Sequence, residues 1–229
     1  MRALKATGSF LLLSFSCWSM PVMTAAGEAT PTDPKEDITS SRRVARVGSD
    51  ARFQAGATAA PVVLSIYASG RSTGCARLVP ALYAAIYSGR LEGKVRLEYR
   101  PFGAGSAVDE ACSRAMVAAA DQGLFWPYLL NLYRKQDELQ PALVMKWAYA
   151  TGVDRGAFDM AYDSPATSSL LAEIEREGRD NGVKEVPAAF IDGRRIGCEL
   201  TFDALVSLLE QEYDRMTREP ANAPHAAHD

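Results

Sequence analysis

Residues 62–89 read VVLSIYASGRSTGCARLVPALYAAIYSG. The stretch opens with Val62, Val63, Leu64, Ile66 and Tyr67, β-branched and aromatic side chains with Pro61 in front of them, which predicts a buried strand over 62–67. A polar turn follows over 69–74. From Cys75 to Tyr87 the spacing is helical, and Gly89 stands where a helix would end. Further on, 95–99 (VRLEY) alternates apolar and polar residues and stops at Pro101, as a second strand would. Two strands joined by a helix must run parallel, because a crossover of that length cannot be a hairpin. An α/β fold is the consequence.

Working outward, 108–151 keeps a helical period. Val108, Ala111, Cys112, Ala115, Met116 and Ala119 share one face, and Leu124, Phe125, Tyr128, Leu129, Leu132 and Tyr133 form the next. Pro141 suits a first helical turn and Gly152 a helix end. Another helix is expected over 168–180. Then AAFI (188–191) and RRI (194–196) flank Asp192-Gly193, a strong hairpin signal. A last amphipathic helix places Phe202, Leu205, Leu209, Tyr213 and Met216 inward. Trp126 and Trp147 belong with the core, whereas Glu173, Glu175, Arg176, Glu177, Arg179, Arg194 and Arg195 read as solvated faces. No internal repeat is present.

The ends differ in kind. Residues 1–26 carry Arg2 and Lys5, then an apolar stretch from Phe10 to Met20, then Thr24, Ala25 and Ala26, the order of a cleaved secretory signal. The apolar stretch is shorter than the ~20 residues of a spanning helix and ends at Pro21, which argues against an uncleaved anchor. Ser14 and Phe15 fit poorly with a lipoprotein signal at Cys17. Residues 27–58 read as a flexible linker and 218–229 as a disordered tail. The expected location is the periplasm or the exterior, with no membrane span after cleavage. Losing Arg2 and Lys5 takes the formal net charge from −3 to −5, which gives no basis for nucleic-acid binding. The two histidines, His225 and His228, both lie in the tail. A Ser-His-Asp triad or an HExxH zinc site is therefore excluded from the core. Cys75, Cys112 and Cys198 remain after signal removal, an odd number in an oxidising compartment. Their spacing gives no support to a metal site, and no cofactor is implied.

This chain resembles the thioredoxin superfamily, and within it the DsbA-like exported thiol:disulfide oxidoreductases. The resemblance covers about 56–215. It rests on the strand and turn at 62–75, on Pro80 five residues after Cys75, on VRLEYRPF (95–102), on AMVAAADQGLFW (115–126) and on GVKEVPAAFIDG (182–193). It implies a thioredoxin fold over 59–217 with a helical domain inserted at about 106–180. It also implies a cis peptide at Val186-Pro187, packed against the active-site turn, whose backbone receives an extended substrate strand.

The departure lies in the active site. The family carries Cys-x-x-Cys, and the aligned residues here are Ser72-Thr73-Gly74-Cys75. A thiolate at a helix N-terminus is stabilised by the dipole; a serine hydroxyl stays protonated and forms no disulfide. Ser72 reads better as a helix N-cap. Cys75 corresponds to the more buried resolving cysteine, and its plainer reading is a small core residue. The resemblance places Cys198 near Cys75, and implies that Cys75 with Cys198 or Cys112 with Cys198 form a disulfide that replaces the lost motif. The expected function is a DsbA-like relative with weak or altered redox activity, using Cys75 and Cys198, with Ser72, Val186 and Pro187 holding exported protein or peptide substrates and a redox partner to recycle it. The alternative is a non-catalytic chaperone or assembly factor using the same groove. Burial of Cys75 separates the two.

Overall fold

A computed structural model describes residues 50–103, 105–197 and 200–218. The expected signal peptide, residues 27–49 of the linker, Cys198 and the tail beyond 218 lie outside the described residues. Within them a five-stranded sheet runs in the order β1-β3-β2-β4-β5. Its strands are β1 (Gln54–Ala55), β2 (Val62–Ala68), β3 (Val95–Pro101), β4 (Ala188–Ile191) and β5 (Arg194–Arg195). β2 and β3 are parallel, with Leu64 beside Leu97 and Ile66 beside Tyr99. β4 pairs antiparallel with β2, so that Tyr67 faces Ala188.

Helix α1 (Thr73–Ser88) makes the crossover between β2 and β3 and buries Cys75, Leu78, Val79, Leu82 and Ile86. Five helices then separate β3 from β4: α2 (Ala107–Ala120), α3 (Phe125–Arg134), α4 (Pro141–Tyr149), α5 (Arg155–Tyr162) and α6 (Pro165–Asp180). The first, α2, is central and packs against the other four. Ala111, Ala115, Ala118 and Ala119 are all buried along it, and small side chains let neighbouring helices approach closely. The long period over 108–151 is therefore three helices, broken where Gly123 takes a positive φ of 72° and where Pro141 starts α4. The chain returns through β4, turns at Asp192-Gly193, and ends in α7 (Phe202–Arg218), whose Leu205, Val206, Leu208 and Leu209 close the core. No helix among the described residues is long and apolar enough to cross a membrane. The architecture is a thioredoxin fold with an inserted helical domain.

Three expectations need correction. The linker does not extend to residue 58. Ala51–Phe53 form a 3-10 turn, and Gln54 and Ala55 pair antiparallel with Glu98 and Leu97 as an edge strand. Phe53 is buried against Phe125, ring centroids 5.0 Å apart, and Trp126 Nε1 donates to Gln54 O. A single large aromatic in a polar stretch is enough to anchor this edge. Glu177 is not solvated: it is buried under the sheet and accepts from Tyr67 OH at 2.6 Å. The hairpin arginines are also engaged. Arg194 pairs with buried Glu212 of α7, and Arg195 Nη1 donates to Gly182 O at 2.7 Å.

Candidate functional site

The site forms where α1 begins. Ser72 precedes the helix with an extended backbone, and its Oγ accepts from Cys75 N at 3.2 Å. This satisfies one of the four donors a helix N-terminus leaves open. The same hydroxyl donates to Val186 O at 3.4 Å. The Val186–Pro187 peptide is cis. Gly74 lies against Pro187 so closely that a Cβ there would sit 3.2 Å from Pro187 Cδ. The structure thus brings Ser72, Val186 and Pro187 together, with one hydroxyl bridging the helix start and the proline loop.

Beside this contact lies an open cleft of about 650 Å³. It is lined by Gly74, Arg77 and Leu78 at the start of α1, by Glu185, Val186, Pro187 and Ala188, and by Ile196, Gly197 and Phe202 among others. The cleft is lined by both apolar and polar side chains.

Two of the sulfurs, those of Cys75 and Cys112, lie in the interior. Cys75 has no exposed surface, and it faces inward with Leu78, Val79 and Leu82. Burial pushes its thiol above the ordinary value, an effect partly offset by hydrogen bonding with Ser72. Cys112, on α2, is equally buried. Its thiol is pushed up to about 12 by burial and by the nearby charge of Asp109. Among the described residues neither thiol is in a disulfide. Cys198, the partner in both expected pairings, lies outside the described residues. A thiol held neutral in an apolar setting is a poor nucleophile, because the thiolate is the reactive species. Among the described residues no group of three His, Cys, Asp or Glu side chains is placed to hold a metal ion.

Sequence reasoning missed the groups that hold the turn from behind. Ser69 Oγ donates to Asp109 Oδ1 at 2.7 Å, and Ser106 Oγ donates to Asp109 Oδ2 at 2.6 Å. Tyr133 OH donates to Ser69 O at 3.3 Å, and Gln136 Nε2 donates to Gly70 O and Ser72 O. These residues come from the inserted helices, 40 to 66 positions away in sequence. Polar residues at helix starts and between helices were the available signal, and such residues are common.

Solved structures share this fold. A thioredoxin-like oxidoreductase from Silicibacter pomeroyi DSS-3 is similar at 16% identity, covering 74% of this chain and 94% of its own, with a TM-score of 0.63. The catalytic domain of Proteus mirabilis ScsC is similar at 17% identity, covering 72% of this chain and 91% of its own, with a TM-score of 0.62. BdbD from Bacillus subtilis is similar at 15% identity over 71% of this chain and 92% of its own, with a TM-score of 0.61. Among curated proteins, a Na(+)/H(+) antiporter NhaA of Herminiimonas arsenicoxydans is 33% identical over 104 residues, which are 43% of this chain and 16% of that protein. This chain thus spans only a small part of that relative's length. The family model for thioredoxin matches residues 49–211. With β2, α1 and the Val186–Pro187 loop arranged as described, the chain belongs to the thioredoxin family.

Proposed function

We propose that this protein is an exported, DsbA-like member of the family that binds extended peptides in the cleft beside Val186–Pro187 and does not turn over disulfides. The observation that carries this reading is the contrast between an open cleft and a sealed sulfur: the cleft stands open beside Pro187, while Cys75 is fully buried with its pKa raised. The position that needs a reactive thiol holds Ser72, whose hydroxyl is engaged as a helix cap and as a donor to Val186 O. Strand docking requires backbone and pockets and no sulfur, so the binding half of the site stands without the chemical half. Residues 1–26 supply the export signal, and substrates are extended segments of exported proteins.

A second reading keeps redox chemistry. Gly197 lines the cleft, and Cys198 follows it directly in sequence. A Cys75–Cys198 or Cys112–Cys198 disulfide would supply the sulfur pair that Ser72 cannot. Peptide mapping without reduction separates the two readings, since the binding reading expects neither pairing.

The functional test uses two assays. Carboxymethylated insulin B chain, an extended peptide without free thiols, serves as the binding probe. Wild type is expected to bind it, and insulin reduction is expected to be near background and equal in wild type and Cys75→Ala. Insulin reduction that depends on Cys75, or absence of probe binding, would overturn the proposal.

A further inference from the structure

The turn that carries Ser72 is held by a side chain from the inserted helices. Gln136 begins the 3-10 turn Gln136–Glu138 that follows α3. Its single Nε2 donates to Gly70 O at 2.8 Å and to Ser72 O at 3.1 Å. Both carbonyls belong to the loop between β2 and α1, on either side of Arg71. One amide group with two hydrogens therefore spans the loop and ties it at two points. The Ser72 carbonyl also accepts Ala76 N, the first bond of α1, so Gln136 grips the helix start and not only the loop.

What lies beneath gives the grip a consequence. Gly70 rests on Cys112, where an added Cβ would stand 3.1 Å from Sγ, and the buried Cys75 thiol is within hydrogen-bond reach of the Ser69 backbone and the Ser72 side chain, which flank the same loop. On the outer side, the Ser72 hydroxyl reaches Val186 O, one residue before Pro187. The loop faces two thiols on one side and touches the proline loop through Ser72 on the other. We infer that Gln136 is a positioning residue: it keeps the Gly70–Ser72 loop closed over Cys75 and holds Ser72 against the proline loop. The cleft consequence rests on the peptide-binding reading above; closure over Cys75 does not.

An amide is suited to this place. It offers two hydrogens at any pH, whereas a carboxylate would face two carbonyl oxygens with none, and a protonated carboxyl would restore one. This sets up a chemical rescue that a purely structural role does not produce.

The test measures labelling of Cys75 by a small maleimide, read by mass spectrometry and divided by the wild-type rate at each pH. Gln136→Ala is expected to raise the relative rate roughly tenfold, the effect of about 1.4 kcal/mol from two net hydrogen bonds. Hydrogen exchange of the β3 amides is expected to stay at the wild-type level. Gln136→Glu should match Gln136→Ala at neutral pH and return toward wild type as acid protonates the new carboxyl. An unchanged Cys75 rate in Gln136→Ala overturns the inference. So does a rate increase that β3 exchange follows, or a Gln136→Glu variant whose relative rate ignores pH. If the insulin B chain probe fails to bind wild type while these thiol results hold, the peptide-binding reading fails and loop closure by Gln136 stands.

Discussion

Replacing Ser72 with alanine separates the two things its hydroxyl does. It accepts Cys75 N at 3.2 Å as the α1 cap, and it donates to Val186 O at 3.4 Å. Loss of a serine cap costs about 1 kcal/mol, within a range of roughly 0.5–2. The second bond lies at the outer limit of hydrogen-bond distance and contributes little beyond that. Val186 is only half-buried and lines an open cleft, so water replaces the lost donor and no stranded carbonyl adds to the cost. The sum stays near ~1 kcal/mol, which for a domain of this size lowers the melting temperature by about 2–4 °C.

Binding should move the other way. A docking strand takes the Val186 backbone as its partner, and in wild type the serine hydroxyl already occupies that carbonyl. Removing the competitor leaves the affinity for carboxymethylated insulin B chain within about twofold of wild type, or tighter. Thermal unfolding and fluorescence anisotropy on the same preparations supply both numbers. A protein that melts a few degrees lower yet binds as well is the expected result. Tenfold weaker binding would refute the reasoning, because it would mean that Ser72 is itself a ligand contact.

Two further perturbations test the packing that supports the site. Gly178→Ala places a Cβ 2.5 Å from Phe102 Cε2 and 3.1 Å from Tyr67 Cε1; an overpacking cost of about 1–3 kcal/mol outweighs a helix-propensity gain of up to about 1, and a chemical-denaturation midpoint at or above wild type would contradict the packing of α6 on the sheet. Glu177→Gln tests the buried acid. Burial raises the Glu177 pKa above its ordinary value, against the lowering effect of the Tyr67 hydroxyl and of Arg100. The folded state therefore holds this proton more tightly than the unfolded chain, so the group's contribution is fully present below the unfolded pKa and is lost as pH rises through the folded one. The midpoint of wild type minus that of Glu177→Gln should fall as pH rises from acid to neutral; a difference that does not change with pH would show that Glu177 does not titrate in that window.

What could be read from the sequence was local and periodic. The strand–turn–helix at 62–89 announces itself because Val62, Leu64 and Ile66 face one core while Ser72 and Gly89 mark the helix ends. Asp192 and Gly193 take positive φ values of 48° and 77°, the backbone that an Asp-Gly hairpin signal encodes. What stayed hidden depends on partners far away in the chain. Glu177 has the composition of a wet helix face, and the Tyr67 hydroxyl, 110 residues earlier, with the charge of Arg100, makes its burial tolerable. Glu212 is similar: the guanidinium groups of Arg194 and Arg215 neutralise it in place and hold its pKa below the ordinary value despite burial. β1 is two residues long, too short for any alternation to show. Gln136 sits in a polar triplet that looks like an ordinary connection, and its role comes from two carbonyls on another element.

The shape of the site and the thiol chemistry of a Cys-x-x-Cys turn would rest on different atoms. The shape depends on a cap at position 72, on a glycine small enough to let Pro187 approach α1, and on an amide that ties the loop. None of these requires sulfur, and a serine oxygen is a favoured helix cap. The chemistry depends on one property, a thiolate exposed at the helix N-terminus, and a hydroxyl cannot supply it because the dipole's stabilisation falls far short of ionising an alcohol. On the peptide-binding reading proposed above, a serine at that position leaves the cleft standing without an attacking group, and the buried Cys75 is poorly placed to take over. A substitution confined to one atom should be reversible by one atom: Ser72→Cys should leave the cleft as it is and bring insulin reduction above the wild-type background. If that variant stays silent while its introduced thiol is exposed and free, something beyond the missing sulfur has been lost, and shape and chemistry do not separate at this site.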